Sequence, residues 1–268
     1  MSARQRRRAT PAYLAYAALG ARREFAGKAT LAARMLFVAV ILLVFSRVWA
    51  AVLERGLLAG RTRADLVWYI VITELVMLSF PYLHLEVEAD LRSGDLVARL
   101  PQPVPYAAAR LAESAGGMAV RLALLTPMAL TCGAVFGAGV PGDLRGVVVA
   151  LILVIPAACL AVLSSAAIGL SAIWLHDASP VYWIWQKLAF ALGGLLLPLE
   201  VYPHWLAAAA RWTPFAAMLN GPGRMVFGLD GGDAARVAGQ LLFWNLAGAV
   251  FVAWLWGRAL RAIETSGG

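Results

Sequence analysis

LRSGDLVARLPQPVPYAAAR, residues 91–110, is a polar, turn-rich stretch caught between long apolar runs. Charges are rare and costly inside a bilayer. The block that holds Glu86, Glu88, Asp90, Arg92, Asp95, Arg99, Arg110 and Glu113 is therefore expected outside it. Ser93-Gly94 signals a turn, and Asp95 is placed to cap a short helix. On that helix Leu96, Val97 and Leu100 share a face, and Pro101 and Pro103 end it. Pro105 then opens the next helix. An apolar ridge between charged flanks suits either a groove on a soluble partner or lipid headgroups, and the residues alone leave both open.

The rest of the chain is membrane-like. Of 268 residues, 62% are hydrophobic and 14% charged, against about 25% charged in soluble domains. Mean hydropathy is +0.75. Apolar runs predict six spans, near 30–52, 65–83, 115–137, 145–174, 181–198 and 237–257. The fourth is long for one crossing, and Pro156 is a candidate kink in it. Residues 12–28 follow a basic start and read as an interfacial amphipathic helix, with Leu14, Ala18, Ala21 and Phe25 on one face.

The formal charge of +8 is read as topology rather than as a nucleic-acid footprint. With the N-terminus inside, twelve Lys and Arg fall on the cytoplasmic side and seven outside. The inner set is the seven of residues 4–28 with Arg92, Arg99, Arg110, Arg258 and Arg261. Trp49 and Trp68 are expected at the outer interface, and Trp174, Trp183, Trp185, Trp254 and Trp256 at the inner one.

Two further features bear on function. The segment LLLPLEVYPHWLAAAARWTPFAAMLNGPGRMVFG, residues 195–228, is broken by Pro198, Pro203, Pro214 and Pro222. It predicts a short amphipathic helix near 204–211 and an external return that acts as a gate or as a plain loop. Glu74, Arg121 and Lys187 are intramembrane charges. Such charges usually pair, so Glu74 is expected on Arg121 or Lys187, unless Lys187 snorkels, with a substrate or proton role for Glu74 as the alternative.

Several chemistries lack their residues. Gly27-Lys28 is followed by Ala29, with Arg22 where a P-loop needs glycine, so ATP binding by this chain is not expected. His84, His176 and His204 are scattered, no zinc-protease pattern occurs, and Cys132 and Cys159 read as buried thiols. Gly133 and Gly137 offer a helix-packing spacing. No internal repeat marks an inverted-repeat transporter.

The order of these pieces resembles the permease subunit of ABC-2 type ABC transporters. The pieces are a basic N-terminal helix, two spans, the SGDL…L…P segment, three spans, the PLEVYPHWL…TPF…G return and a last span. The resemblance covers nearly the whole chain, as one membrane domain, 1–268. It implies an all-α integral membrane protein of six transmembrane helices. Segment 84–114 would carry the coupling helix, with Ser93, Gly94, Asp95, Leu96, Leu100 and Pro103 docking on an ATP-binding subunit. Segment 198–228 would form short external helices, with Pro198, Tyr202, Pro203, Trp205, Pro214 and Phe215 as gate candidates. It further implies two ATP-binding subunits, which hold ATP and Mg, a second permease chain, and a bacterial inner membrane with both termini cytoplasmic. The chain itself would hold no cofactor or metal and touch no nucleic acid. Export of a drug, lipid or natural product is the function implied. A membrane enzyme for a lipid or isoprenoid, with Glu86, Glu88, Asp90 and Asp95 as its only carboxylate cluster, is the alternative, and a non-catalytic scaffold is a third.

Overall fold

The computed structural model describes residues 3–55, 60–102, 104–137, 139, 143–228 and 231–266, without the side chains of 3–10, 231 and 264–266. The described residues are helical throughout their regular structure. Helix α1 (Ala3–Ala26) leads into α2 (Lys28–Glu54) and α3 (Arg63–Leu78). Next come α4 (Leu83–Ser93), α5 (Asp95–Arg99), α6 (Tyr106–Phe136), α7 (Leu144–Leu175) and α8 (Ser179–Gly193). Short helices α9 (His204–Arg211), α10 (Pro214–Met218) and α11 (Asn220–Arg224) precede α12 (Gly231–Ser266).

Helix α3 is the centre. Thr62 and Asp65 close a reciprocal capping box at its start, with bonds of 3.2 and 2.9 Å. Every residue from Leu66 to Val76 is buried, the pattern of a helix packed all round. Helix α2 buries only the stripe Val38, Leu42, Ser46 and Trp49 against it. Its other apolar side chains, including Leu36, Val40 and Val44, face outward, as lipid would require. Gly133 of α6 lies against Val71 and Trp68, so the predicted small-residue spacing does bring two helices close.

Among the described residues five helical rods are long and apolar enough to cross a membrane: Lys28–Glu54, Arg63–Ser93, Tyr106–Phe136, Leu144–Leu175 and Gly232–Ile263. The predicted fifth span is the exception. Helix α8 has 15 residues, about 22 Å at 1.5 Å per residue, short of a hydrocarbon core of about 30 Å. It stops at Gly194, whose φ of 68° is left-handed. The chain nevertheless traverses the bundle here, because α7 and α12 run parallel. Asn245 donates to the Pro156 carbonyl, Gly248 meets Leu160 and Leu163, and Val252 packs with Ala166 and Leu170. The segment between them must return from one end of the bundle to the other. Helix α7 itself is a single element of 32 residues, and Pro156 does not break it.

The tryptophan reading needs correction. Trp49 and Trp68 are core residues, and the Trp68 indole donates to the Gly139 carbonyl at 3.0 Å. A tryptophan near a span end can serve packing as readily as an interface. Trp174, Trp183 and Trp254 are exposed, whereas Trp185 and Trp256 stack on Tyr182 and Tyr106.

Candidate functional site

The quoted stretch folds as a bracket. Pro81 interrupts the rod between α3 and α4, and α4 continues to Ser93. Gly94, at φ 79°, ends α4 and starts α5, a left-handed position that glycine takes without strain. Asp95 is the first residue of α5 rather than its cap, and its backbone N–H donates weakly to the Ser93 hydroxyl at 3.4 Å. Pro103 lies outside the described residues.

The expected apolar ridge is split. Leu96 is 0% exposed, packed in a cluster with Leu83, Val87, Tyr106, Leu170 and Val252. Val97 is 56% exposed, and Leu100 is half-buried. The positive φ at Gly94 resets the helical phase, so Leu96 points into the bundle. Ser93, Gly94, Asp95, Val97 and Ala98 form the outward tip.

Half of the charges of the block, Glu88, Asp90, Arg110 and Glu113, are buried rather than solvated. Arg110 on α6 reaches three carboxylates. Its Nε is 2.9 Å from Asp90, and its Nη1 is 2.6 Å from Glu113 and 3.1 Å from Glu86. Tyr106 donates to Asp90 at 2.5 Å. Glu88 pairs with Arg92 at 2.5 Å and accepts from the Ala178 backbone N–H at 3.2 Å. Asp90, Arg110 and Glu113 are all buried. Buried ions are tolerated when paired and fully hydrogen-bonded, and here they bolt α4 to α6 and to the start of α8. Just beyond, the Ser179 backbone N–H donates to Asp177 at 2.8 Å and holds that carboxyl below its usual range. Three of the four carboxylates proposed for a membrane enzyme are thus engaged in structural bonds.

Helix α1 joins the same bracket. A Cβ on Gly20 would overlap the Glu113 carbonyl, and one on Gly116 would overlap that of Ala17. The two backbones touch, so glycine is required at both positions. Arg23 reaches Glu113 at 3.5 Å, and Arg121 pairs with Glu24 at 2.5 Å. Leu14 and Phe25 remain exposed on the other side of α1. The sequence offered no signal for these partners beyond the charges themselves, because they are about ninety positions away.

The intramembrane charges do not pair as expected. Arg121 is taken by Glu24 and by the Ser79 carbonyl, at 3.2 Å. Lys187 is exposed on α8, 5.8 Å from the Trp183 and Phe190 ring centroids. Glu74 is 4% exposed, and among the described residues no hydrogen bond or ion pair reaches it. It lies one turn before the end of α3, inside the candidate span Arg63–Ser93.

The external candidates separate into two groups. Helix α9 spans the predicted 204–211, with Ala207 and Ala210 buried and Trp205 and Trp212 exposed at either end. Pro203 precedes it on the rim. Pro198 is buried, Tyr202 packs with Leu199 and Ala210, Pro214 starts α10 under a Thr213 cap, and Phe215 meets Trp185 edge-on. Asn220, missed in the sequence, holds this region inward. Its side-chain oxygen accepts from the Tyr69 hydroxyl and the Leu199 N–H, both at 3.2 Å.

Compared with known proteins, residues 35–267 match the pattern of the family described as ABC-2 family transporter protein. No curated protein matches the chain. The matched span begins within α2 and ends at the far end of α12, so it takes in the bracket, Glu74 and the proline-broken segment 195–228.

Proposed function

From the premise that the chain belongs to the ABC-2 transporter family, we propose that it is the permease subunit of an ATP-driven exporter. ATP and Mg are held and hydrolysed by two separate ATP-binding subunits. A second permease chain, the same or a related one, completes the pathway. The protein resides in a bacterial inner membrane with both termini in the cytoplasm. Helix α8 and the broken segment after it together make the fifth of six crossings, which the parallel run of α7 and α12 supports.

The observation that carries this reading is the tip Gly94–Ala98. Apart from the buried Leu96 it is exposed, yet it stands on α4 and α6, which the Arg110 ion pairs lock together. A push on α5 is therefore passed to two crossing helices rather than absorbed by a loop. Helix α1, seated backbone to backbone on α6, shares the load. Cargo is an apolar or amphipathic compound, such as a drug, lipid or natural product, as the apolar and aromatic clefts between the helices suggest.

Co-expression with an ABC-type ATP-binding protein, sought first in the neighbouring genes, is the test. A stable complex is expected, with ATPase activity that rises when the permease is present. A well-folded permease that never associates with such a protein, in detergent or in bilayers, would overturn the reading.

A further inference from the structure

A cleft of about 450 Å3 opens between α2, α3 and α8. Phe37, Phe80, Tyr182 and Phe190 contribute aromatic walls, and Glu74 is the one carboxylate among its described lining residues. Glu74 is buried and unpartnered there. An isolated carboxylate in apolar surroundings is costly until a proton or a cation neutralises it. The other charge on the cleft is already engaged. Arg34 donates to the Leu78 carbonyl and lies 5.4 Å over the Tyr82 ring. That carbonyl is one helical turn beyond Glu74, and no ion pair joins Arg34 to the carboxylate.

A second cavity, of about 270 Å3, shares Thr30, Arg34 and Tyr82 with the first. Its other lining residues include Arg23, Glu24, Glu113 and Arg121. A charged vestibule among α1, α4 and α6 thus meets the apolar cleft at the Arg34–Tyr82 contact.

We propose that the cleft binds a monovalent amphipathic organic cation, its charge on the Glu74 carboxylate and its apolar body against Phe37, Tyr182 and Phe190. Aromatic ring faces add attraction for the cation. An anion would meet Glu74 unfavourably, and a neutral compound would leave it unsatisfied. That this site holds the transported cargo rests on the permease reading, but binding of the cation does not.

The test uses the full chain in phosphatidylcholine nanodiscs, with empty nanodiscs as background. Tetraphenylphosphonium and tetraphenylborate are the probes, a cation and an anion of nearly equal size. Saturable binding of the cation is expected, with little of the anion. Glu74→Gln should weaken cation binding about tenfold or more, as loss of one partner of a buried charge pair does. On the unmodified chain, the cation should protect Glu74 from labelling by dicyclohexylcarbodiimide, read by mass spectrometry. Equal binding of both probes would overturn the proposal. So would Glu74→Gln binding within about twofold of the parent, a difference below 1 kcal/mol, or labelling that the cation does not slow. ATPase association reports separately: its loss with cation binding intact removes the permease reading and leaves the site standing.

Discussion

Arg121 of α6 pairs with Glu24 of α1 at 2.5 Å and leaves Glu74 of α3 without an ion-pair partner among the described residues. One contact thereby sets two properties of the fold. It fixes the N-terminal helix to the bundle, and it frees a carboxylate in the cleft. Arg121→Gln should loosen α1 and raise tryptic cleavage after Arg22 and Arg23, while probe binding at Glu74 stays within about twofold. Proteolysis unchanged from the parent would show that the pair does not hold α1.

The Arg110 cluster should govern stability. Arg110→Met leaves Asp90 buried without its cation and Glu113 with only the longer Arg23 contact, and should cost about 3–5 kcal/mol. Arg110→Lys should recover little, because a single ammonium cannot reach Asp90, Glu113 and Glu86 as the guanidinium fork does. Thermal unfolding in detergent, followed by circular dichroism, measures both. A melting point within error of the parent for Arg110→Met would mean that the cluster is solvated rather than buried.

Leu96 and Val97 are adjacent in sequence and opposed in placement, and they should fail differently. Leu96→Glu buries a charge among Leu83, Val87 and Leu170 and should destabilise the chain by about 3 kcal/mol. Val97→Glu changes an exposed side chain and should leave the melting point alone. In the complex with the ATP-binding subunit, Val97→Glu should abolish the rise in ATPase activity. A Val97→Glu complex with normal stimulation would place the docking contact elsewhere.

Backbone contact between α1 and α6 predicts a steric effect of a single methyl group. Gly116→Ala and Gly20→Ala each force the helices apart and should cost about 1–3 kcal/mol, as overpacking does. Gly239→Ala, where nothing lies near the added carbon, should be neutral. Melting points of the three variants in one detergent decide this.

The sequence revealed most of the fold through its apolar runs, and α9 fell on its predicted limits because prolines and tryptophans bracket it. What stayed hidden was set at long range. Nothing local says that Leu96 turns inward, because its direction depends on the left-handed Gly94 and on α7 and α12 beside it. Nothing local says that Glu113 meets Arg23, ninety positions away. The short α8 reads as a span by composition, and only the Gly194 turn and the Tyr69 and Thr73 bonds to the Gly194 and Leu195 carbonyls end it early.

Orientation is the last expectation, and it follows from charge and from the parallel run of α7 and α12. If the Lys and Arg bias holds, the α5 tip and the exposed Trp205 and Trp212 lie on opposite sides of the membrane. After replacement of Cys132 and Cys159 by alanine, Trp212→Cys should react with a membrane-impermeant maleimide on intact cells. Val97→Cys should react only once the cells are opened. The reverse pattern would invert the topology, put the α5 tip outside and remove it from any cytoplasmic ATPase. Labelling of both sites on intact cells would mean an even number of crossings between them. In that case α8 and residues 194–228 would not traverse the membrane, and the chain would have five spans in place of six.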